Sequence, residues 1–343
     1  MRKNWRSLFG AVVGVAFLVW ALHGLKVADI WQHVRAANPW LLLAATIAGT
    51  AIFPLRAPRW QIILSPVAEK LPLGMLWRSI AVGMAANNVL LARAGELARA
   101  YALSRETKRV PFAAAFASIA VDRIFDATAV LLLMAVATFD PSLPPGRSVA
   151  GHSITSYIGA GAATALFAIL ALYLIVFFPE EVIALYEWVA RRLAPTLEER
   201  GRKMLFAFAS GLDVLRHPAR FLSALAWTLV LWLTNALAFW FGFKAVGINV
   251  SFGAALMLQG LIAIAVAVPS LPGFFGVFEY VAQLGLGLYG IEASLATSFA
   301  ISYHILTFLP ITIIGIYYFV TLGLKLSDMH ASSEAVADVP ATG

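Results

Sequence analysis

The sequence predicts an all-α, multi-pass membrane protein, and three observations carry that prediction. Of 343 residues, 61% are hydrophobic and only 13% charged, with a mean hydropathy of +0.83; a soluble domain needs more polar surface than this. Long stretches lack Asp, Glu, Lys and Arg altogether: 7–25, 39–55, 153–178, 221–243, 245–278 and 293–324. Since about 20 apolar residues cross a hydrocarbon core roughly 30 Å thick, most of them are long enough to span. The period-2 alternation of an outer-membrane barrel is missing, so strands are not expected.

Taken in order, the elements give eight hydrophobic segments: about six full spans and two re-entrant helical hairpins. Arg2, Lys3 and Arg6 precede the first segment, and the positive-inside tendency puts that end in the cytoplasm. No small-x-small site follows His23 and Gly24, so the segment reads as an uncleaved span rather than a signal peptide. Asn38-Pro39 opens the second helix, since proline is tolerated in a first turn. That helix is expected to return to the cytoplasm at Arg56 and Arg59, beside Trp60 as an interfacial anchor. The apolar run 73–91 then ends in Arg93, Arg99, Arg105, Lys108 and Arg109; a full crossing would leave these basic residues outside, so a dip returning to the same side is expected. A long helix from about Val110 to Phe139 crosses outward to the turn-rich DPSLPPG, and 153–178 crosses back.

Residues 179–220 carry Val182, Leu185, Val189 and Leu193 at helical spacing and read as a cytoplasmic amphipathic connector. After the span 221–246, the next apolar run breaks at PSLPGFFG, where Pro269, Pro272, Gly273 and Gly276 interrupt a helix. Broken backbone at membrane depth is tolerated only inside protein or beside water, so a second dip is expected, entered from the other side. The last span runs inward to Lys325, and 326–343 reads as a disordered cytoplasmic tail. Residues 1–325 thus form one transmembrane domain with both termini cytoplasmic. Of 25 basic residues, Lys26, Arg35, Arg147 and Lys244 fall outside and Arg123 within a span, leaving 20 inside. The two dips suggest an inverted repeat of the kind secondary transporters use.

Few residues can carry chemistry. Asp122, Arg123 and Asp126 lie within the long helix; the aspartates share a face, and Arg123 can pair with Asp126 at i+3. Intramembrane charges are costly and mark function by default, although a structural ion pair is the plain alternative. Asn87, Arg93, Glu96 and Arg99 are placed to line the first dip, where arginine suits phosphate oxygens and a helix N-terminus adds donors. A flank touching anionic lipid is the plain alternative there. Glu279 needs a partner, for which Arg93, Arg99 or Arg123 is expected. His304 reads as a hydrogen-bonded core histidine or a proton relay. The absence of cysteine excludes disulfides, thiol nucleophiles and cysteine-ligated metals.

In order and spacing, NNVLLARAGELARAYAL from Asn87, SIAVDRIFD from Ser118 and PSLPGFFGVFE from Pro269 resemble the flippase-like family named after the transmembrane region of lysylphosphatidylglycerol synthase. The resemblance rests on Gly95, Glu96 and Arg99, on Asp122 and Arg123, and on Pro272, Gly273, Gly276 and Glu279, and it extends from about Arg56 to Leu324. Ala92 stands where the pattern expects proline. The resemblance implies movement of a phospholipid or lipid-linked headgroup between leaflets of the cell membrane. Bifunctional relatives add a soluble aminoacyltransferase domain, which is not expected here.

The expected substrate is a phosphate-containing membrane lipid, held by Arg56, Arg93 and Arg99, with Glu96, Asp122, Asp126 and Glu279 pairing these cations when the site is empty. No catalytic residue, metal or cofactor is expected. The net charge of +7 is accounted for by the cytoplasmic flanks, so nucleic acid is not implied. A homo-oligomer or a partner synthase is compatible with the sequence. Two other classes stay open: a membrane enzyme with Mg²⁺ on Asp122, Asp126 and Glu279, and an accessory subunit of envelope synthesis.

Overall fold

A computed structural model describes residues 5–90, 94–143, 148–149, 152–153, 217–266 and 271–325, with parts of 163–202. The chain begins with α1 (Trp5–Leu22), α2 (Val27–Ala36) and α3 (Pro39–Leu64), followed by α4 (Leu73–Val89), α5 (Gly95–Glu106) and α6 (Phe112–Ala137). Two short strands, β1 (Ser148–Val149) and β2 (His152–Ser153), pair antiparallel. Then come α7 (Pro179–Leu193), α8 (Pro218–Ala245), α9 (Phe252–Ala265), a 3₁₀ turn (Pro272–Phe274), α10 (Val277–Gly287) and α11 (Ala293–Thr321).

Local chemistry explains the boundaries that matter. Asn38 caps α3 by accepting from the amides of Trp40 and Leu41 at 3.0 and 3.3 Å, with Pro39 in the first turn. Among the described residues three helices are long and apolar enough to cross a membrane: α3, α8 and α11. At 26 residues α6 is as long as α3, but it carries Asp122, Arg123 and Asp126 at its centre. The expected break near PSLPGFFG is present: α9 ends at Ala265, and Gly273, Phe274 and Gly276 have φ of 67°, 64° and 86°. Glycine adopts such angles without the Cβ penalty, so the backbone can turn sharply before α10 begins. Pro269, Ala92, Arg93 and most of 153–178 lie outside the described residues.

One element differs in kind from expectation. The second helix does not stop at its first charges; α3 continues through Pro54 and Pro58 to Leu64, and Arg56 and Arg59 are buried inside it. The end of a charge-free run is therefore not a helix end here, because partners from other helices accept the guanidiniums.

Packing gathers the elements around a centre. α3 lies along α8, and α11 along α4; α4 folds back on α5, α5 meets α6, and α6 meets α9. The 3₁₀ turn rests against α4, so the break after α9 touches the helix that leads into α5. At the α4–α5 crossing Gly83 and Gly95 bring the two backbones together, and a Cβ on Gly95 would strike the Gly83 carbonyl and Asn87. One apolar cluster is built on Trp60, Leu64, Ile80, Leu103 and Phe125, another on Phe239, Phe243, Phe278 and Phe299. The candidate site lies where they meet.

Candidate functional site

Three elements deliver a buried charge network. From α3, Arg59 is fully buried; its Nη1 donates to Asp126 Oδ1 at 2.6 Å and to Thr228 Oγ1 at 3.2 Å. Its Nη2 lies 2.6 Å from Asp122 Oδ1, an ion contact without hydrogen-bond alignment. From α5, Arg99 Nη1 donates to Asp122 Oδ2 at 2.7 Å, and its guanidinium stacks 3.8 Å over the Trp60 ring. Trp60 is held in turn by Nε1 donating to Ser118 Oγ at 2.8 Å. Asp126 also accepts from Trp232 Nε1 at 3.0 Å. The aspartates are four residues apart on α6, so one helix face presents both to the cations.

Around this knot the pairs loosen. Arg123 bridges Glu96 at 3.3 Å and Asp126 at 3.4 Å, and Arg56 Nη1 stands 3.8 Å from Asp126 Oδ2, with its Nε buried and unpartnered. Among the described residues four guanidiniums (Arg56, Arg59, Arg99, Arg123) face three carboxylates (Glu96, Asp122, Asp126), so this set keeps one positive charge in excess. Burying a charge without a full partner is expensive, and an anion entering beside Arg56 would restore the balance.

Two hollows adjoin the network. Arg56, Asn87, Gly95, Glu96, Arg99 and Arg123 line a small cleft of about 20 Å³. Arg56 also lines a cavity of about 240 Å³ between α3, α4, α8, α9, the 3₁₀ turn and α11. Most of that wall is apolar, from Phe53, Leu231, Phe239, Ile262, Phe278 and Phe308, with Asn88, Asn235, Gln259 and His304 as polar points. Asn88 Nδ2 donates to Thr312 Oγ1 at 2.7 Å, and Asn235 Nδ2 to Gln259 Oε1 at 3.1 Å. Chemically, this is one cation at the head of an apolar chamber.

The structure thus brings together Arg56, Asn87, Glu96, Arg99, Asp122, Arg123 and Asp126. Asn87 Oδ1 accepts the amide of Gly95 at 2.9 Å and ties α4 to α5. Arg93 lies outside the described residues. The expected i, i+3 pair of Arg123 with Asp126 is present at 3.4 Å. Glu96 pairs with Arg123 while Arg99 pairs with Asp122, because α5 and α6 face each other. Arg123 is not buried in its span; its side chain is 46% exposed, since it points past Asp126 toward Glu96 at the surface.

Glu279 finds no arginine. Its Oε1 lies 2.6 Å from His304 Nδ1, and its Oε2 accepts the amide of Gly276 at 2.6 Å, capping α10. Gly273 lends its carbonyl to His304 Nε2 at 2.8 Å, and Pro272 opens the turn that presents it. Among the described residues no three His, Asp or Glu side chains gather to hold a metal ion. Sequence reading missed Arg59, Thr228, Trp232, Asn235 and Gln259. Only Arg59 left a signal, one turn after Arg56 and on its face.

Relatives bear on this arrangement. A UPF0104 membrane protein of Methanothermobacter thermautotrophicus is 23% identical over 339 residues, covering 92% of this chain and 96% of its own. A second UPF0104 membrane protein, of Pyrococcus horikoshii, is 22% identical over 332 residues with the same coverage. A protein of Haloferax volcanii named glycosyltransferase AglD is 32% identical over 99 residues, 29% of this chain and 16% of that longer protein. The family model described as the lysylphosphatidylglycerol synthase TM region matches residues 7–315. With nearly the whole membrane part matched, this chain belongs to the family of the lysylphosphatidylglycerol synthase transmembrane region.

Proposed function

We propose that this protein translocates a phosphate-bearing lipid between the leaflets of the cell membrane, with the phosphate at Arg56 and the chains along the apolar wall. The observation that carries the reading is the cavity of about 240 Å³ whose only charged lining residue among the described ones, His304 aside, is Arg56, the most loosely paired guanidinium of a network with one excess positive charge. A phosphate there gains a charge-assisted bond, and the head need not drag its tails out of hydrocarbon.

In this reading α4–α5 and α9–α10 are two re-entrant hairpins. At 1.5 Å per residue they measure about 26 and 18 Å, then about 21 and 17 Å, each short of a hydrocarbon core of about 30 Å. Their meeting at the 3₁₀ turn and α4 supports an inverted pair opening from opposite sides. Both termini then lie in the cytoplasm. No GxxxxGK[ST] phosphate loop is present in the sequence, so the movement runs downhill or on an ion or the membrane potential.

A second reading is a membrane enzyme acting on a lipid-linked substrate, favoured by the stretch shared with the protein named glycosyltransferase AglD. One experiment separates the two. Proteoliposomes are loaded with fluorescent phosphatidylglycerol, phosphatidylethanolamine, phosphatidylcholine or a fluorescent polyprenyl phosphate, and accessibility to an external quencher is followed. Translocation makes inner-leaflet label accessible with the lipid chemically unchanged. Failure with all four lipids would remove this reading, and chemical conversion of a lipid would favour the enzyme.

A further inference from the structure

His304 faces oxygen at both ring nitrogens: Glu279 Oε1 at 2.6 Å from Nδ1 and the Gly273 carbonyl at 2.8 Å from Nε2. A carbonyl only accepts, so Nε2 must carry a hydrogen. The short Nδ1 contact needs a second, because a bare ring lone pair against a bare carboxylate would repel. The pair therefore holds one dissociable proton beyond the Nε2 hydrogen. Glu279 Oε2 accepts from Gly276 in the first turn of α10, so that proton lies between Oε1 and Nδ1.

The surroundings isolate this proton. Glu279 is 2% and His304 7% exposed; Phe275 stacks on the imidazole at 4.4 Å and Phe278 lies tilted against it at 4.5 Å. Among the described residues, other titratable groups stand apart. Arg56 of α3 and Tyr303 of α11 line the same cavity; α4, α8 and α9 bring only the neutral Asn88, Asn235 and Gln259 to it. α2, which carries Asp29, His33 and Arg35, meets α11 at Ser298, nearly two turns before His304.

We propose that Glu279 and His304 form a proton site that latches the broken segment between α9 and α10 to α11, so that proton release frees the segment to move. The idea rests on the translocation reading and names its coupling ion. When the Nδ1–H bond breaks and the proton passes to water in the cavity, neutral imidazole has one hydrogen for two acceptors. Either Gly273 or Glu279 then loses its partner. Residues 272–276, already turned at positive φ at Gly273, Phe274 and Gly276, lose one of their ties to α11.

The substitution E279Q separates this latch from mere structural capping. Its amide N–H can donate to Nδ1 of a neutral ring, its oxygen can accept from Gly276, and Nε2–H can keep Gly273. All three bonds persist with no proton to lose. Full-length wild type and E279Q would be compared by thermal midpoint from about pH 5 to about pH 9, the range across which imidazole exchanges its proton. Scrambling of fluorescent phosphatidylglycerol would be measured in parallel. The stability difference between wild type and E279Q should change with pH, wild type losing ground as pH rises, and E279Q should scramble at less than about a tenth of the wild-type rate. A difference independent of pH, or E279Q scrambling at the wild-type rate, would overturn the latch. If wild type moves no lipid at any pH, the translocation reading fails, and the thermal comparison still decides the proton site.

Discussion

In the proposed reading, two arginines one turn apart on α3 divide the work between holding the fold and meeting a lipid phosphate. Arg59 is fully buried and grips both aspartates at 2.6 Å, whereas Arg56 faces a cavity with its nearest carboxylate at 3.8 Å. Removing a member of a buried ion pair leaves an uncompensated charge and costs about 3–5 kcal/mol. R59M should therefore lower the unfolding midpoint sharply and reduce the folded yield in detergent. R56Q removes the excess charge from a network that is otherwise balanced, so the midpoint should change little. Equal destabilisation by both would contradict this division. At this scale the sequence named the members of the charge network better than their partners. Asp122 and Asp126 were legible from their i, i+4 spacing, but Arg59 looked interfacial because its partners sit 63 and 67 residues away on α6. Glu279 called for a cation, and the imidazole that meets it is contributed by α11, a pairing no local spacing announces.

Elements are joined in this protein by small, specific contacts. At Gly95 a Cβ meets the carbonyl of Gly83 and the Asn87 side chain, so G95A should push α5 off α4, weaken the cleft that holds Arg99, and lower the thermal midpoint. At the opposite junction Ser251 caps α9 through its bond from Ala254 at 3.3 Å and donates to Asp140 in the turn after α6. S251A should cost about 0.5–2 kcal/mol as a lost cap. Burial pushes the Asp140 carboxyl up, but the bonds from Ser251 and Ser142 outweigh it and hold the carboxyl below its ordinary value. A depressed carboxyl stabilises above its unfolded value, near pH 4, and that contribution disappears as pH falls through the folded value. Between about pH 5 and about pH 3 wild type should therefore lose slightly more thermal midpoint than D140N, a modest effect because the carboxylate is only partly buried. Helix existence was readable from apolar runs and from signals such as Asn38-Pro39 and PSLPGFFG. The extent of α3 was not, because its charges are accommodated by tertiary partners that a hydropathy window cannot see.

Among the described residues, three long apolar helices and several shorter ones surround a cavity that joins two apolar clusters to a buried charge network. If α4–α5 is re-entrant, the residues after α5 lie on the cytoplasmic side. The sequence contains no cysteine, so R105C offers a single label site; an impermeant thiol reagent should reach it only from the cytoplasmic face, and external labelling would make α4 a full span. The central claim, that a lone guanidinium at the head of an apolar chamber carries a phosphate lipid across, is tested most directly by comparing wild type with R56Q in proteoliposomes bearing fluorescent phosphatidylglycerol. Wild type should equilibrate the label between leaflets, and R56Q, with an unchanged thermal midpoint, should do so at least about tenfold more slowly, the effect of a lost charge-assisted contact. Transport by R56Q at the wild-type rate would contradict the claim.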